Sequence, residues 1–324
     1  MRDMGTMTGL CAPLHPLPRT AGRRTVRWFA RGALTGLVAA PWVAHALVGG
    51  AGVAVNTAES PWAGVGSLSV GSGLFTGTLI APGYVLTAAH VVAGADPSRI
   101  SFRLNAGDSV AFAASQIFVN PGYTGTAAGN ADGDPTVHDD IAIVRLSGTV
   151  AGPVPVYSIF AGDLGRQIVT FVSYAGSATV KKTGENRVDS LLKDTAGVPE
   201  VYVFDFDGPG LDTNRIGPDI SANGTLGATR EASLVGGDSG SAAFVSVGGQ
   251  WQLAGINTFQ ITFAAGPGTS GAFGTGGGGA VVAAYTPWIN SVIATPVPEP
   301  EAWLMMLTGL AGMTAAVRRR AGRD

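Results

Sequence analysis

Cysteine occurs once in the 324 residues, at Cys11, and histidine only four times. Cys11 precedes an apolar stretch that reads as an export signal. Once that segment is removed no thiol remains, which excludes disulfides, a thiol nucleophile and a Cys-ligated metal. His15 and His45 belong to the same segment, so imidazole chemistry rests on His90 and His138. Charge is also sparse, at 13% of residues, and it is unevenly placed. Six arginines lie in the first 31 positions and four at the extreme C-terminus. Between Leu47 and Pro296, 10 Lys and Arg face 18 Asp and Glu, a net of −8. A body that acidic repels phosphate backbones, so nucleic acid is excluded as a partner.

The ends read as sorting devices. "ALTGLVAAPWVAHA" (33–46) is apolar, follows an Arg-rich stretch and finishes in Ala-x-Ala, which predicts a signal peptide over residues 1–46, cut after Ala46 by signal peptidase. The run is short for a bilayer span and contains Pro41. At the other end, Ala302 to Val317 is a short apolar helix stopped by Arg318, Arg319 and Arg320, which should stay cytoplasmic and leave the body outside. Pro298-Glu299-Pro300, this helix and the basic tail together resemble the PEP-CTERM sorting signal of Gram-negative bacteria. The resemblance implies an exosortase-type processing enzyme, membrane attachment through residues 297–324 and a cell-surface or extracellular destination.

Between the ends, short aliphatic and β-branched runs such as "FTGTLI", "YVLTAA", "IAIVRL", "QIVTFVSY" and "WQLAGI" alternate with Gly, Pro, Asn and Asp clusters. That pattern predicts an all-β sandwich or barrel. The 49 glycines suit many tight turns, and "GPGTSGAFGTGGGG" (266–279) reads as a flexible loop. One helix is expected, "TPWINSVIA", capped by Thr286 with Pro287 at its first position. Trp288, Ile289, Val292 and Ile293 then share one face. "NADGDP" (130–135) lacks the distal glutamate of a calcium loop, so no metal and no cofactor are indicated.

Three stretches carry chemistry. "YVLTAAHVV" presents His90 after a strand, "HDDIAIVRL" places acids before another, and "GGDSGSAAF" sets Ser239 in a glycine-rich turn. A serine hydroxyl becomes a useful nucleophile when a base takes its proton, and the base needs a carboxylate to hold its tautomer. Glycines at the turn let backbone N–H groups converge on an oxyanion. Alternation along Ile141–Leu146 leaves open whether Asp139 or Asp140 points inward. His138, the other imidazole, reads as part of the preceding loop.

"TAAH", "DIAIVRL" and "GDSGS", in that order, with "SPWAGVGSL" upstream and the closing helix, resemble the chymotrypsin/trypsin family of serine proteases from Leu47 to Ala294, within an expected domain of residues 47–296. The resemblance implies two packed six-stranded antiparallel barrels with a short C-terminal helix. It further implies His90 as general base, Asp140 as its orienting acid, Ser239 as nucleophile, and Gly237 and Ser239 as oxyanion-hole donors. By the same match "LVGG" from Leu47 is the family's active N-terminus, whose ammonium pairs with Asp238. One cut after Ala46 would then complete both export and activation. Ser233 would floor the substrate pocket, with Thr258, Phe259 and Gln260 in its wall. A neutral floor disfavours Arg or Lys substrates. Two departures stand out: Val91 follows His90 where many relatives have a disulfide cysteine, and Ser241-Ala242 replaces Gly-Pro after the nucleophile. The expected function is a secreted serine endopeptidase acting on protein or peptide substrates. The alternative is a protease-fold surface or matrix component that binds without cutting.

Overall fold

The computed structural model describes residues 47–295 apart from 51, 55–59, 105–109, 126–137, 153, 175–180, 217–223, 264–265, 267–268 and 270, together with 308 and 313. The expected export signal, Cys11, the "NADGDP" stretch and, apart from residues 308 and 313, the expected C-terminal sorting segment lie outside the described residues. Among the described residues no helix is long and apolar enough to cross a membrane.

The first half opens with two short strands, β1 (Val48–Gly49) and β2 (Gly52–Ala54). Then come β3 (Val65–Val70), β4 (Gly73–Ala81), β5 (Tyr84–Thr87), β6 (Ile100–Arg103), β7 (Phe112–Val119) and β8 (Ala142–Leu146). Strands β3 to β8 close into an antiparallel barrel in the order β3-β4-β5-β8-β7-β6. Closure leaves no unpaired edge, and Val65, Leu68, Leu79, Val85, Phe102 and Ile143 are buried in its core. A single helical turn, α1 (Ala89–Val92), follows β5.

The second half holds β9 (Ile168–Ser173), β10 (Lys181–Arg187), β11 (Ser190–Lys193), β12 (Pro199–Asp205), β13 (Ala232–Ser233), β14 (Ala242–Val247), β15 (Gln250–Ile261) and β16 (Gly276–Val281). Its sheet runs β11-β12-β16-β15-β14-β9-β10-β2. The six long strands from β12 to β10 are the expected second set, and β11 and β2 are short additions at either edge. A side chain bridges the two edges of that six-strand run: Asn186 Nδ2 on β10 donates to the Asp205 carbonyl at the end of β12 (2.8 Å) and to that of Ala232 (2.9 Å). The architecture is all-β, as expected.

Two readings need correction. Gly276–Gly279 are no part of a flexible loop; they form most of β16, buried between β12 and β15. Backbone and side-chain atoms of neighbouring strands occupy the room that their side chains would need. A Cβ on Gly278 would collide with the Tyr202 carbonyl and the Phe259 ring, and one on Gly276 with the Phe204 carbonyl. A run that looks like a linker in composition is here a strand reduced to backbone. The closing helix, α2 (Thr286–Ile293), is real, but Thr286 does not cap it. A 3₁₀ turn over Val282–Tyr285 leads straight in, and Tyr285 holds the cap position without a side-chain bond to the helix N–H groups. Ile289 and Val292 are buried, and they join the apolar cluster of the first half.

Aromatic packing joins the halves. Trp62, just before β3, lies 5.1 Å from Phe244 on β14 and 4.6 Å from Trp251 on β15, while Tyr157 of the connecting segment lies 4.5 Å from Phe244. Tyr157 also donates to the Pro61 carbonyl at 2.8 Å, so its polar tip is satisfied. With no cysteine to cross-link the described body, this cluster carries cohesion that bridges supply elsewhere. Phe244→Ala should therefore cost about 3–5 kcal/mol, read as a lower denaturant midpoint with an unchanged slope.

Candidate active site

Three side chains from separate stretches meet where the halves face each other. His90 sits in the first turn of α1, carried there directly by β5. Asp140 precedes β8 and is buried, and Ser239 lies in the turn before β14 and is also buried. The His90 Nε2 is 2.8 Å from the Ser239 Oγ, and Nδ1 is 2.6 Å from Asp140 Oδ2. The other carboxylate oxygen, Oδ1, accepts the backbone N–H of His90 at 2.8 Å. One carboxylate thus fixes both the ring and the main chain that bears it. The Nδ1 contact favours the tautomer that leaves Nε2 free to accept the serine proton.

The structure separates the two adjacent aspartates. Asp139 adopts a left-handed backbone (φ 59°), its N–H donates to the Tyr285 hydroxyl at 3.1 Å, and burial pushes its carboxyl pKa up. That reversal turns Asp140, not Asp139, toward the imidazole. His138 is buried beside it, with Nδ1 3.1 Å from Glu200 Oε2, so it lies in the packed turn at the foot of β8 and well supported. Tyr285 and Glu200 have no local sequence signal, because each acts through tertiary contact alone.

The serine turn is built from glycine for steric reasons. Gly237 (φ 99°) and Gly240 (φ 79°) both take left-handed conformations. A Cβ on Gly240 would also strike the Thr87 hydroxyl and the Thr76 carbonyl. The turn is tied to the first half by Thr76 N–H donating to the Ser239 carbonyl (3.3 Å). It is tied to β15 by Gly240 N–H donating to the Asn257 carbonyl (2.9 Å). The N–H groups of Gly237 and Ser239 belong to this turn, on either side of Asp238, next to the Ser239 hydroxyl. Backbone donors held so close to a hydroxyl can stabilise negative charge developing on a substrate oxygen.

Asp238 is buried and points away from Ser239, into the second half. Its carboxylate accepts the Leu47 N–H (3.2 and 3.3 Å), the Ser173 hydroxyl (2.6 Å) and the Val235 N–H (2.7 Å). The residues after Leu47 continue as β1, pairing with β13 in the register Val48 to Ser233, and Gly50 N–H donates to the Glu231 carbonyl at 2.8 Å. Leu47 itself is buried, with a left-handed φ of 41° that is strained for a residue carrying a Cβ. Burial raises the Asp238 pKa to about 7, against the opposing pull of Ser173, Val235, Leu47 and Lys182. Ser173 is a partner that sequence reasoning missed; nothing in "FVSY" marks its hydroxyl as a ligand for a carboxylate.

The pocket candidates divide. Among the described residues, the hydroxyls of Ser233 and Thr258 are buried without a hydrogen-bond partner. Thr258 is the extra residue of a bulge, between the registered positions Asn257 and Phe259. Phe259 packs in an apolar cluster with Val201, Val203 and Ile261, and Gln260 donates its amide to the Leu234 carbonyl at 2.7 Å.

A family model described as Trypsin matches residues 49–289. No curated protein matches the chain. Among solved structures, the scabies mite inactivated protease paralogue S-D1 is similar at 14% identity and a TM-score of 0.49, over 76% of this chain and 97% of that one.

Asp238 has a pH signature. Its folded pKa lies above the ordinary carboxylate value of about 4, so the native state holds a proton that the unfolded chain releases. That contribution is complete below pH ~4 and is lost as pH rises through about 7, provided the Leu47 nitrogen is still an amide. Melting of the uncut protein from pH 4 to 8 should fall more steeply for wild type than for Asp238→Asn.

Proposed function

The chain belongs to the trypsin family, and from that premise we propose that it is an exported serine endopeptidase. The observation that carries this reading is the unbroken hydrogen-bond series from Asp140 through His90 to Ser239. In the proposed cycle, Ser239 Oγ attacks the scissile carbonyl while His90 Nε2 takes its proton. Asp140 stabilises the imidazolium so formed, and the N–H groups of Gly237 and Ser239 receive the oxyanion. His90 then returns the proton to the departing amine, leaving an acyl-enzyme. Water, deprotonated by the same imidazole, releases the acid and restores the serine.

Neutral hydroxyls at Ser233 and Thr258 support preference for uncharged side chains at the cleaved position. A substrate ammonium or guanidinium would be desolvated there without a counter-charge. The contacts of Leu47 support activation by a cut after Ala46. A free ammonium at that nitrogen would meet the Asp238 carboxylate as a buried ion pair, with α-amino pKa about 8 keeping it charged at neutral pH. The cut also abolishes the strained φ of Leu47, because that torsion requires a preceding carbonyl. In this reading residues 1–46 are the signal, 47–296 the protease and 297–324 a PEP-CTERM-like surface-sorting tail removed or retained after export.

A fluorophosphonate probe tests the assignment. Wild type should label covalently, and Ser239→Ala should not. Peptide hydrolysis should fall by about 10⁴-fold or more for Ser239→Ala or His90→Ala, as when members of such a unit are removed singly. An unlabelled, correctly folded wild type would favour the binding-only reading. The secreted form should begin at Leu47 by terminal sequencing, and cleavage confined to Arg and Lys sites would overturn the specificity.

A further inference from the structure

The serine turn is also anchored on a side that the proposed cycle does not use. Asp238 to Ser241 form a turn closed by the Ser241 N–H, which donates to the Asp238 carbonyl at 2.9 Å, with Ser239 and Gly240 at its centre. Two further backbone bonds bracket its exit, both to Asn257 on β15. Gly240 N–H donates to the Asn257 carbonyl (2.9 Å), and Asn257 N–H donates to the Ser241 carbonyl (2.8 Å). The Asn257 side chain adds another hold, its Nδ2 donating to Ser241 Oγ at 2.8 Å. Ser241 is one of the two residues that replace Gly-Pro after Ser239, and a glycine in its place would offer no hydroxyl.

The anchor continues inward. Tyr202 on β12 donates its hydroxyl to Asn257 Oδ1 at 2.6 Å. Strands β12 and β15 are not neighbours; β16 runs between them, and Tyr202 and Asn257 both pair with its Gly279. Registered residues project from the same face of a sheet, and Gly279 has no side chain to stand between them. Gly255 yields room as well, since a Cβ there would strike the Tyr202 ring. Tyr202, Asn257 and Ser241 are all fully buried. Burial holds the Tyr202 phenol well above its ordinary pKa, so its hydroxyl stays a donor. Without that donor, Asn257 Oδ1 would be a buried acceptor left unmatched, and the amide would lose the bond that fixes its rotation.

We propose that Tyr202 and Asn257 are positioning residues for Ser239. The uncharged row Tyr202–Asn257–Ser241 reaches across a bare strand to the serine turn, fixes its exit, and so sets the aim of Ser239 Oγ at His90. Asp238 holds the entry of the same turn through the Val235 N–H. The effect on reaction rate rests on the protease reading; the effect on the turn does not. Both residues act through Ser241 and not by touching a substrate.

Fluorophosphonate labelling kinetics of Tyr202→Phe, Ser241→Ala and the double variant, each expressed as the full chain, test the proposal together with amide hydrogen exchange. The limiting labelling rate should fall about tenfold in each single variant, with the half-saturating probe concentration unchanged, because a lost buried bond misdirects the oxygen and leaves the pocket intact. The double variant should lose no more than the worse single one, since either change breaks the same row. Tyr157→Phe removes another buried hydroxyl, the one on the Pro61 carbonyl, and should lower Tm while the labelling rate stays put. Exchange of the Gly240 and Ser241 N–H groups should quicken in Tyr202→Phe, and exchange in the six-strand barrel should not. An unchanged labelling rate in Tyr202→Phe, losses that multiply in the double variant, or an equal rate loss in Tyr157→Phe would each overturn it. Should wild type itself fail to label, the protease reading falls and exchange alone decides: quickened Gly240 exchange upholds the clamp on the turn, and unchanged exchange sinks it.

Discussion

A carboxylate inside a protein must be matched or neutralised, and Asp238 is the point at which this fold meets that demand. Its three donors come from the start of the described body, from β9 and from the serine turn itself. Desolvating an unmatched carboxylate is costly enough that losing any of them would shift the turn or its protonation. The backbone of Ser239 is therefore set from behind, by an anion on the adjacent residue, while its hydroxyl is set from the front by His90. The conformation of the serine turn and the location of a distant chain segment become one problem with one solution.

The same principle sorts the other buried acids. Asp140 is matched by the ring and backbone of His90, and the acid nearest to it, Asp139, is turned aside by a reversed backbone. Asp189 and Asp205 sit together after β10 and at the end of β12, where the Asp205 N–H donates to Asp189 Oδ2 at 3.0 Å and burial pushes both carboxyls above the usual range. Lys181, fully buried, has its pKa lowered to about 7 by desolvation, with its Nζ on the Trp62 carbonyl at 2.6 Å. A chain with so few charges still places several of them inside, each with a distinct resolution.

Much of this was legible in the sequence because the informative signals were local. Alternating short apolar runs revealed the strands, and "TAAH", "DIAIVRL" and "GDSGS" each announced their position relative to a strand. What stayed hidden was set by contacts between distant segments. Ser173 and Tyr285 act through neighbours that no window contains. The choice between Asp139 and Asp140 turned on a single backbone reversal, which alternation cannot express. Gly276–Gly279 misled because glycine was read for its freedom, whereas here it answers crowding from Tyr202, Phe204 and Phe259. Thr286 misled because a 3₁₀ turn had already begun the helix before any cap was needed.

Strand β16 has a further consequence for how the second half finds its pairing. Most strands record their alignment in their own side chains, since a slip by one residue turns every apolar group to the wrong face. Four consecutive glycines record nothing of the kind. Alignment must then be dictated from outside, by the rings that notch against the bare backbone and by Ala280 and Val281 where side chains resume. The strand is read like a blank key, cut only by the wards of the lock around it.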